Sequence, residues 1–532
     1  MFHWVRVLKS PVSAAMFYRP LGNTIVVSIG SSLLALAIGI ALAWLIARTD
    51  LPGSSWFARL CPLPYMMPSW YLALAWTVLF KNDRIGGTTG LLQHLLGAAP
   101  PDWISYGPVP IIITLAVHFY PFVFLLVSSA LSSVDVTLEE AAVVQGASRG
   151  YILRRITLPL VLPAILSAFI LTFSRALGTF GTPSFLGLPI RYYTLSTMIY
   201  SNLQNRQAAD AYVTAFLLIL IAAATIFANQ QIIGRRRSYA TITGKGLTVR
   251  LTPLGKLRWP IFALVSSFFV AAVLMPFCLL AWQTLMRVNG DFSVGNLTLH
   301  YWIGRAAPGL EPGLLRNPAV GRVLLNTLQV ALFSALIGAF VGLLIGYAVV
   351  RMRGHWLARV LEQMAFLPYL VPSIAFGAIY LTMFARPVGP IPSLYGTLVL
   401  LVLVSVAKYL PMASRSGTAA MMQVAQDLEE AAIVQGASWW RRFLRVLLPL
   451  TKSGAITGFL FIFISAMKEL SLVVILVTPR TATLNTLTYR YAEQGFTQCS
   501  DAIVLLIICF ILVADLIARK LGGESVGRRL GG

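Results

Sequence analysis

The sequence predicts an all-α polytopic membrane protein built as two parallel repeats, of about five and six transmembrane helices, related by a pseudo-two-fold axis along the membrane normal. Three observations predict it. The 532 residues are 58% hydrophobic and 11% charged, against about 25% charged residues in an average soluble domain. Eleven apolar stretches punctuate the chain. One polar segment occurs twice, 290 residues apart. The composition excludes an ordinary water-soluble protein, and so much apolar surface excludes a disordered one.

A membrane-spanning helix needs about 20 mainly apolar residues. Such stretches lie at 21–47, 60–80, 108–131, 159–181, 211–233, 259–283, 323–350, 360–385, 393–414, 453–478 and 501–518. Any one of them would pass as a buried core helix; eleven in one chain do not. Charge gives their sidedness. With a cytoplasmic C-terminus, 24 of the 41 Lys and Arg residues fall in cytoplasmic segments, 14 fall on the opposite side, and Arg175, Lys408 and Lys468 lie inside spans. Basic residues collect in cytoplasmic loops, and the cluster at 235–258 contributes most of the bias. In a soluble protein a net charge of +23 would point to nucleic acid. Here topology accounts for it, and no nucleic-acid partner is required.

Catalytic and metal chemistry find no support. Cys61, Cys278, Cys499 and Cys509 have no paired spacing, and the five histidines are scattered. Gly244-Lys245-Gly246 lacks the rest of a phosphate-binding loop. The chain is expected to be no enzyme, to have no catalytic or metal-binding residues and to bind no cofactor itself.

The duplication is the most specific signal. TLEEAAVVQGASRGYILRRITLPL at 137–160 matches DLEEAAIVQGASWWRRFLRVLLPL at 427–450, with 13 identities in the 22 positions from 139. Upstream, Asn23-Thr24 matches Asn326-Thr327. Pro64-Tyr65 with Pro68-Ser69 matches Pro368-Tyr369 with Pro372-Ser373, and His118 with Pro121 matches Lys408 with Pro411. Six spans separate the loops, so both face the same side. The chain divides into a first half at 1–233 (loop 132–158), a basic linker at 234–258 and a second half at 259–532 (loop 418–452). The second half has a span at 259–283 ahead of its Asn326-Thr327. The first half has no counterpart before Asn23, so the native reading frame is expected to begin upstream and to encode a twelfth span.

In each loop a short Ala-rich helix is expected, then a sharp turn at Gly146 or Gly436, then a basic segment leading to Pro159 or Pro449. Thr137 and Glu140 have the spacing of a capping box, and Asp427 and Glu430 repeat it less ideally. Ala141, Ala142, Ala431 and Ala432 would let another backbone approach closely. An interfacial helix lying on lipid would not need Gln-Gly-Ala-Ser identical in two copies, so docking is the reading.

These loops resemble the EAA loop of binding-protein-dependent ABC importer permeases. Glu140, Ala141, Ala142, Gly146 and Leu158-Pro159 match in the first half. Glu430, Ala431, Ala432, Gly436 and Leu448-Pro449 match in the second. The resemblance covers nearly the whole chain, and its fused form looks like the ferric-iron, thiamine and phosphonate-type permeases. It implies a cytoplasmic coupling helix in each half, docked on one of two copies of a separate ABC ATPase that carries the ATP. Glu140 and Glu430 would be polar anchors there. It also implies alternating access, an external (periplasmic or extracellular) substrate-binding protein, and residence in the bacterial inner membrane.

The span after each EAA loop usually lines the pathway. Ionisable residues within spans are costly and face a cavity or a partner, which singles out Arg175, Lys468 and Glu469. Gly178, Phe180, Gly181 and Pro183 interrupt the first-half span, and freed backbone groups are tolerable beside a water-filled cavity. The same charges would equally suit an interhelical gate. Met467-Lys-Glu-Leu470 resembles the ferric-iron permeases, so iron is the first expectation. A small organic cargo (2-aminoethylphosphonate, thiamine or a polyamine) is the alternative, and an ion-coupled secondary transporter the more distant one.

Overall fold

The computed structural model describes residues 2–234 and 251–521, apart from 309, 388 and 391. The Gly244-Lys245-Gly246 stretch and most of the linker's basic residues lie outside the described residues. Among those described, regular structure is helical, with isolated bridges and no strand. The chain is thus an all-α polytopic membrane protein.

Eight described helices are long and apolar enough to cross a membrane. They are Ala14–Arg48, Asp102–Ser132, Gly150–Leu177, Ala208–Thr225, Gly255–Thr284, Pro318–Arg351, Leu398–Met421 and Thr497–Ile517. Two bent helix pairs bring the number to ten if each is one span, against the eleven expected. Trp356–Leu370 meets Ser373–Phe384 at 106°, and Trp439–Leu450 meets Lys452–Met467 at 80°. The shorter apolar helix Ser69–Phe80 completes the set, and each predicted stretch contains helix.

Proline explains where the second span of each half breaks. Leu63–Met66 stops before Pro68, and Trp356–Leu370 stops before Pro372. A helical carbonyl bonds the amide four residues on. For Pro64 and Pro368 that residue is itself proline and has no N–H. Side chains from another span supply the missing donors. His118 Nδ1 lies 3.0 Å from the Pro64 carbonyl, and Lys408 Nζ donates to the Pro368 carbonyl at 3.1 Å and to that of Val371. Because the partner of His118 is a carbonyl, its Nδ1 carries the proton. The pairing of His118 with Lys408 in the sequence repeat is a pairing of function.

The chain forms two compact units that divide between Leu297 and Thr298. In the first, Arg19–Arg48, Pro108–Ser132 and Leu158–Leu177 pack together. Their core includes Ala35, Leu115, Tyr120, Val123 and Ala168. In the second unit, Pro318–Arg351, Leu398–Met421 and Lys452–Met467 pack in the same way. Gly342 and Gly346 face Ala413 and Gly417 so closely that a Cβ on Gly346 would stand 2.4 Å from the Gly417 backbone. Small residues four apart allow helix backbones to meet in lipid, where packing replaces the hydrophobic drive.

The packing boundary differs from the repeat boundary. Sequence places 259–283 at the head of the second half, yet this helix packs within the first unit. Phe269 stacks on Phe57 at 5.2 Å, and Phe268 meets Tyr120 edge-on at 5.2 Å. The linker's end is pinned there too: the Thr252 amide donates to the Arg48 carbonyl at 2.8 Å and the Leu254 amide to Asp50 at 2.7 Å. An aromatic helix face finds its cover where complementary rings stand, whatever its place in the repeat.

Candidate functional site: paired loop helices and interrupted spans

The two EAA loops fold alike. Val136–Val144 and Gln426–Val434 are nine-residue helices. Their starts differ from the capping expectation. The first helix begins ahead of Thr137, and its cap is Asp135, whose carboxylate accepts the Thr137 amide at 2.9 Å. The second begins at Gln426 after Ala425, which offers no side-chain cap. Glu430 accepts from Gln426 at 3.0 Å instead of reaching back.

Both helices end in the same left-handed turn. Gly146 has φ +80° and Gly436 φ +75°. The Ala147 amide reaches back to Ala142 at 2.9 Å, and the Ala437 amide to Ala432 at 3.0 Å. These bonds satisfy carbonyls that a helix end leaves open. Nothing lies within 4 Å of a Cβ built on either glycine. Backbone conformation, not space within the chain, demands glycine here.

Adjacent glutamates divide between two tasks. Successive side chains on a helix point about 100° apart, so Glu139 and Glu140 cannot face the same way. Glu139 turns toward its own unit, where it accepts from Thr157 at 2.9 Å and pairs with Arg48 at 3.4 Å. Glu429 does the same more tightly. It is 5% exposed and accepts from the Tyr347 hydroxyl at 2.8 Å and Arg351 Nε at 2.9 Å, with Arg442 at 3.6 Å. Glu140 and Glu430 are exposed, as are Ala141 and Ala431, while Ala142 and Ala432 are half-buried. Beside the exposed glutamates, each helix presents apolar side chains: Leu138, Val143 and Val144 in one, Leu428, Ile433 and Val434 in the other. Val144 is 87% exposed and Val434 86%. A short helix held from below by an ion pair and bare above is suited to enter a groove of another protein.

Sequence reading named Glu140 and Glu430 and passed over Glu139 and Glu429. The missed signal was Arg48 and Arg351, which close the first aligned span of each half at equivalent positions.

The first-half interruption lies where the sequence put it, whereas the second-half span, expected as one stretch over 453–478, ends at Met467. Leu158–Leu177 ends with Arg175 in its last turn and Gly178 as its cap. Phe180 is fully enclosed and packs on Tyr200 at 5.0 Å. The chain re-enters a helix at Gly181–Gly187, with Gly181 against the Trp70 ring and Pro183 buried. In the second unit Lys452–Met467 is capped by Lys468, a cation well placed against the negative end of a helix. The Glu469 carboxylate accepts from the Tyr409 hydroxyl and, at 2.8 Å, from the Leu472 amide. It therefore organises the turn that follows. Among the described residues no group of three His, Cys, Asp or Glu side chains is placed to hold a metal ion.

Both interruptions close in the same way. The Thr24 hydroxyl accepts the Leu195 amide at 2.8 Å, and Asn23 donates to the Tyr193 carbonyl at 2.8 Å. Thr327 and Asn326 do this for Leu484, Arg480 and Ala482. Thr194 with Thr197, and Thr483 with Thr486, form reciprocal capping boxes on the next helices.

The family described as "Binding-protein-dependent transport system inner membrane component" matches residues 21–238 and 335–523. Among similar proteins, a Haemophilus influenzae chain named for a ferric transport system permease is 29% identical, over 79% of this chain and 64% of its own length. A ferric transport system permease protein of Actinobacillus pleuropneumoniae is 27% identical, over 81% and 61%. An Fe(3+)-transport system permease protein of Haemophilus influenzae is 23% identical, over 96% and 92%. The chain thus spans less than two thirds of the length of the first two.

Proposed function

The chain belongs to the binding-protein-dependent transport system inner membrane component family, and from that premise we propose that it is the fused two-half permease of an ABC importer for ferric iron. The observation that carries this reading is the pair of loop helices. Each is anchored through Glu139 or Glu429 and offers the same apolar and acidic face outward. Glu140, Ala141, Gly146 and their counterparts Glu430, Ala431 and Gly436 would meet two copies of an ATPase subunit, one per half. ATP-driven closure of the ATPase pair would rock the halves between outward- and inward-facing states. An external binding protein would deliver the iron. The membrane would be the bacterial inner membrane, with both loop helices and the C-terminus in the cytoplasm, as the charge bias favours.

The names of the ferric relatives support the cargo, as does Met467-Lys-Glu-Leu470. Arg175, Gly178, Phe180, Gly181, Lys468 and Glu469 would border or gate the pathway. Reconstitution in liposomes with candidate ATPase and binding-protein subunits from the same organism tests the reading. ATP-dependent uptake of Fe³⁺ delivered by the binding protein is expected. Tight binding of thiamine, a polyamine or an aminophosphonate, with none of Fe³⁺, would replace the cargo but keep the importer. Failure of the ATPase to associate would end the importer reading.

A further inference from the structure

We propose that Glu139 and Glu429 are positioning residues that transmit motion of each loop helix to the first aligned span of its own half, and that the second-half link is the stiffer of the two. The proposal rests on the importer reading above. A loop helix joined to its half by the chain alone would move the span that follows it. Here a second joint exists. Glu139 meets Arg48, the last residue of Arg19–Arg48, and Glu429 meets Arg351, the last residue of Pro318–Arg351. Arg48 is itself held, because its other nitrogen donates to the Leu131 carbonyl at 2.8 Å. The joint therefore gathers the ends of two spans in the first unit. The same spans carry Asn23-Thr24 and Asn326-Thr327 at their far ends, which brace the turns after the interrupted spans. A push on the loop helix thus has a continuous route along one rigid helix to the opposite end of the bundle.

The two joints differ in strength. Glu429 is buried, accepts from Tyr347 and Arg351, and lies within ion-pair range of Arg442 at 3.6 Å. Tyr347 is itself packed edge-on against Trp439 at 5.8 Å, and Trp439 stacks on Phe443 at 5.2 Å. Glu139 is less buried and has two partners, Thr157 at 2.9 Å and the buried Arg48 at 3.4 Å. Each joint holds a buried charge, Arg48 in the first half and Glu429 in the second, so removing a partner costs in both; the second is the stiffer because its carboxylate is held by one more side chain.

The test uses the reconstituted importer with its ATPase and binding protein. Three readouts are taken: ATPase retained on the purified chain, ATP hydrolysed, and cargo moved per ATP. For Arg351→Met and Glu429→Gln the ATPase is expected to stay bound while cargo per ATP falls about tenfold, a typical coupling between sites. Arg48→Met and Glu139→Gln are expected to lower it by a smaller factor. Arg351→Lys, which keeps the charge, should recover part of the loss. A purely structural role would instead lower ATPase retention and transport together. If Arg351→Met does not fold, Tyr347→Phe leaves the ion pair in place and should still lower cargo per ATP. Unchanged cargo per ATP in the second-half variants, or loss in step with ATPase retention, overturns the proposal. Equal effects in the two halves overturn the asymmetry. If the unsubstituted chain retains no ATPase, the importer reading fails instead.

Discussion

The Thr327 hydroxyl accepts the Leu484 amide at 2.8 Å across 157 residues of chain. Thr327 lies near the start of one span, and Leu484 opens the helix after the interrupted one. Both residues are buried. Thr327→Val preserves the shape and removes the acceptor. A buried amide left without a partner costs about 1–3 kcal/mol. The expected result is faster hydrogen exchange at the Leu484 amide and a lower melting temperature in detergent; Thr24→Val should act likewise on Leu195.

Lys408 should be needed for stability rather than for cargo. Its ammonium serves the Pro368 carbonyl, which Pro372 cannot serve. Lys408→Met is expected to cost about 1–3 kcal/mol, with Lys408→His, the first-half solution, costing less. Thermal unfolding of the detergent-purified chain measures this. An unaltered melting temperature for Lys408→Met would contradict the role.

Gly146 and Gly436 separate folding from docking. Their positive φ makes alanine strained by about 1–2 kcal/mol, and the space around each is open within the chain. Gly146→Val and Gly436→Val should therefore still reach the membrane folded, while retention of the ATPase on affinity purification drops sharply. Normal retention by the double variant would mean that the loop helices are not the docking elements.

Glu469 should order the turn after Met467. Glu469→Ala removes the carboxylate that accepts from the Leu472 amide and the Tyr409 hydroxyl. A cysteine placed at Val473, now buried, is expected to react faster with a maleimide in that background. Tyr409→Phe should produce a smaller rise, because it removes one hydrogen bond of about 1 kcal/mol.

Most spans and the repeat were legible in the sequence, because apolarity over about 20 residues and a loop recurring with 13 identities in 22 positions leave few alternatives. Bends were not. Apolar residues flank Pro68 and Pro372 on both sides, and the break becomes visible once one asks which carbonyl loses its donor. The choice between Glu139 and Glu140 was hidden for a related reason. Two adjacent carboxylates are equivalent in one dimension, and the arginine that distinguishes them lies 91 residues away. The cap at Asp135 was missed because Thr137 also fits a capping box, and the helix simply starts earlier. The placement of 259–283 was beyond reach, since its aromatic face is satisfied by Phe57 and Tyr120, far off in sequence.

Two docking helices on one chain require two ATPase copies per chain. The mass of the intact complex, purified with its ATPase in detergent and measured by native mass spectrometry, tests it most directly. One copy of this chain with two copies of the ATPase is expected. A complex with a single ATPase copy, or the chain alone under conditions where the ATPase is present and folded, would contradict it.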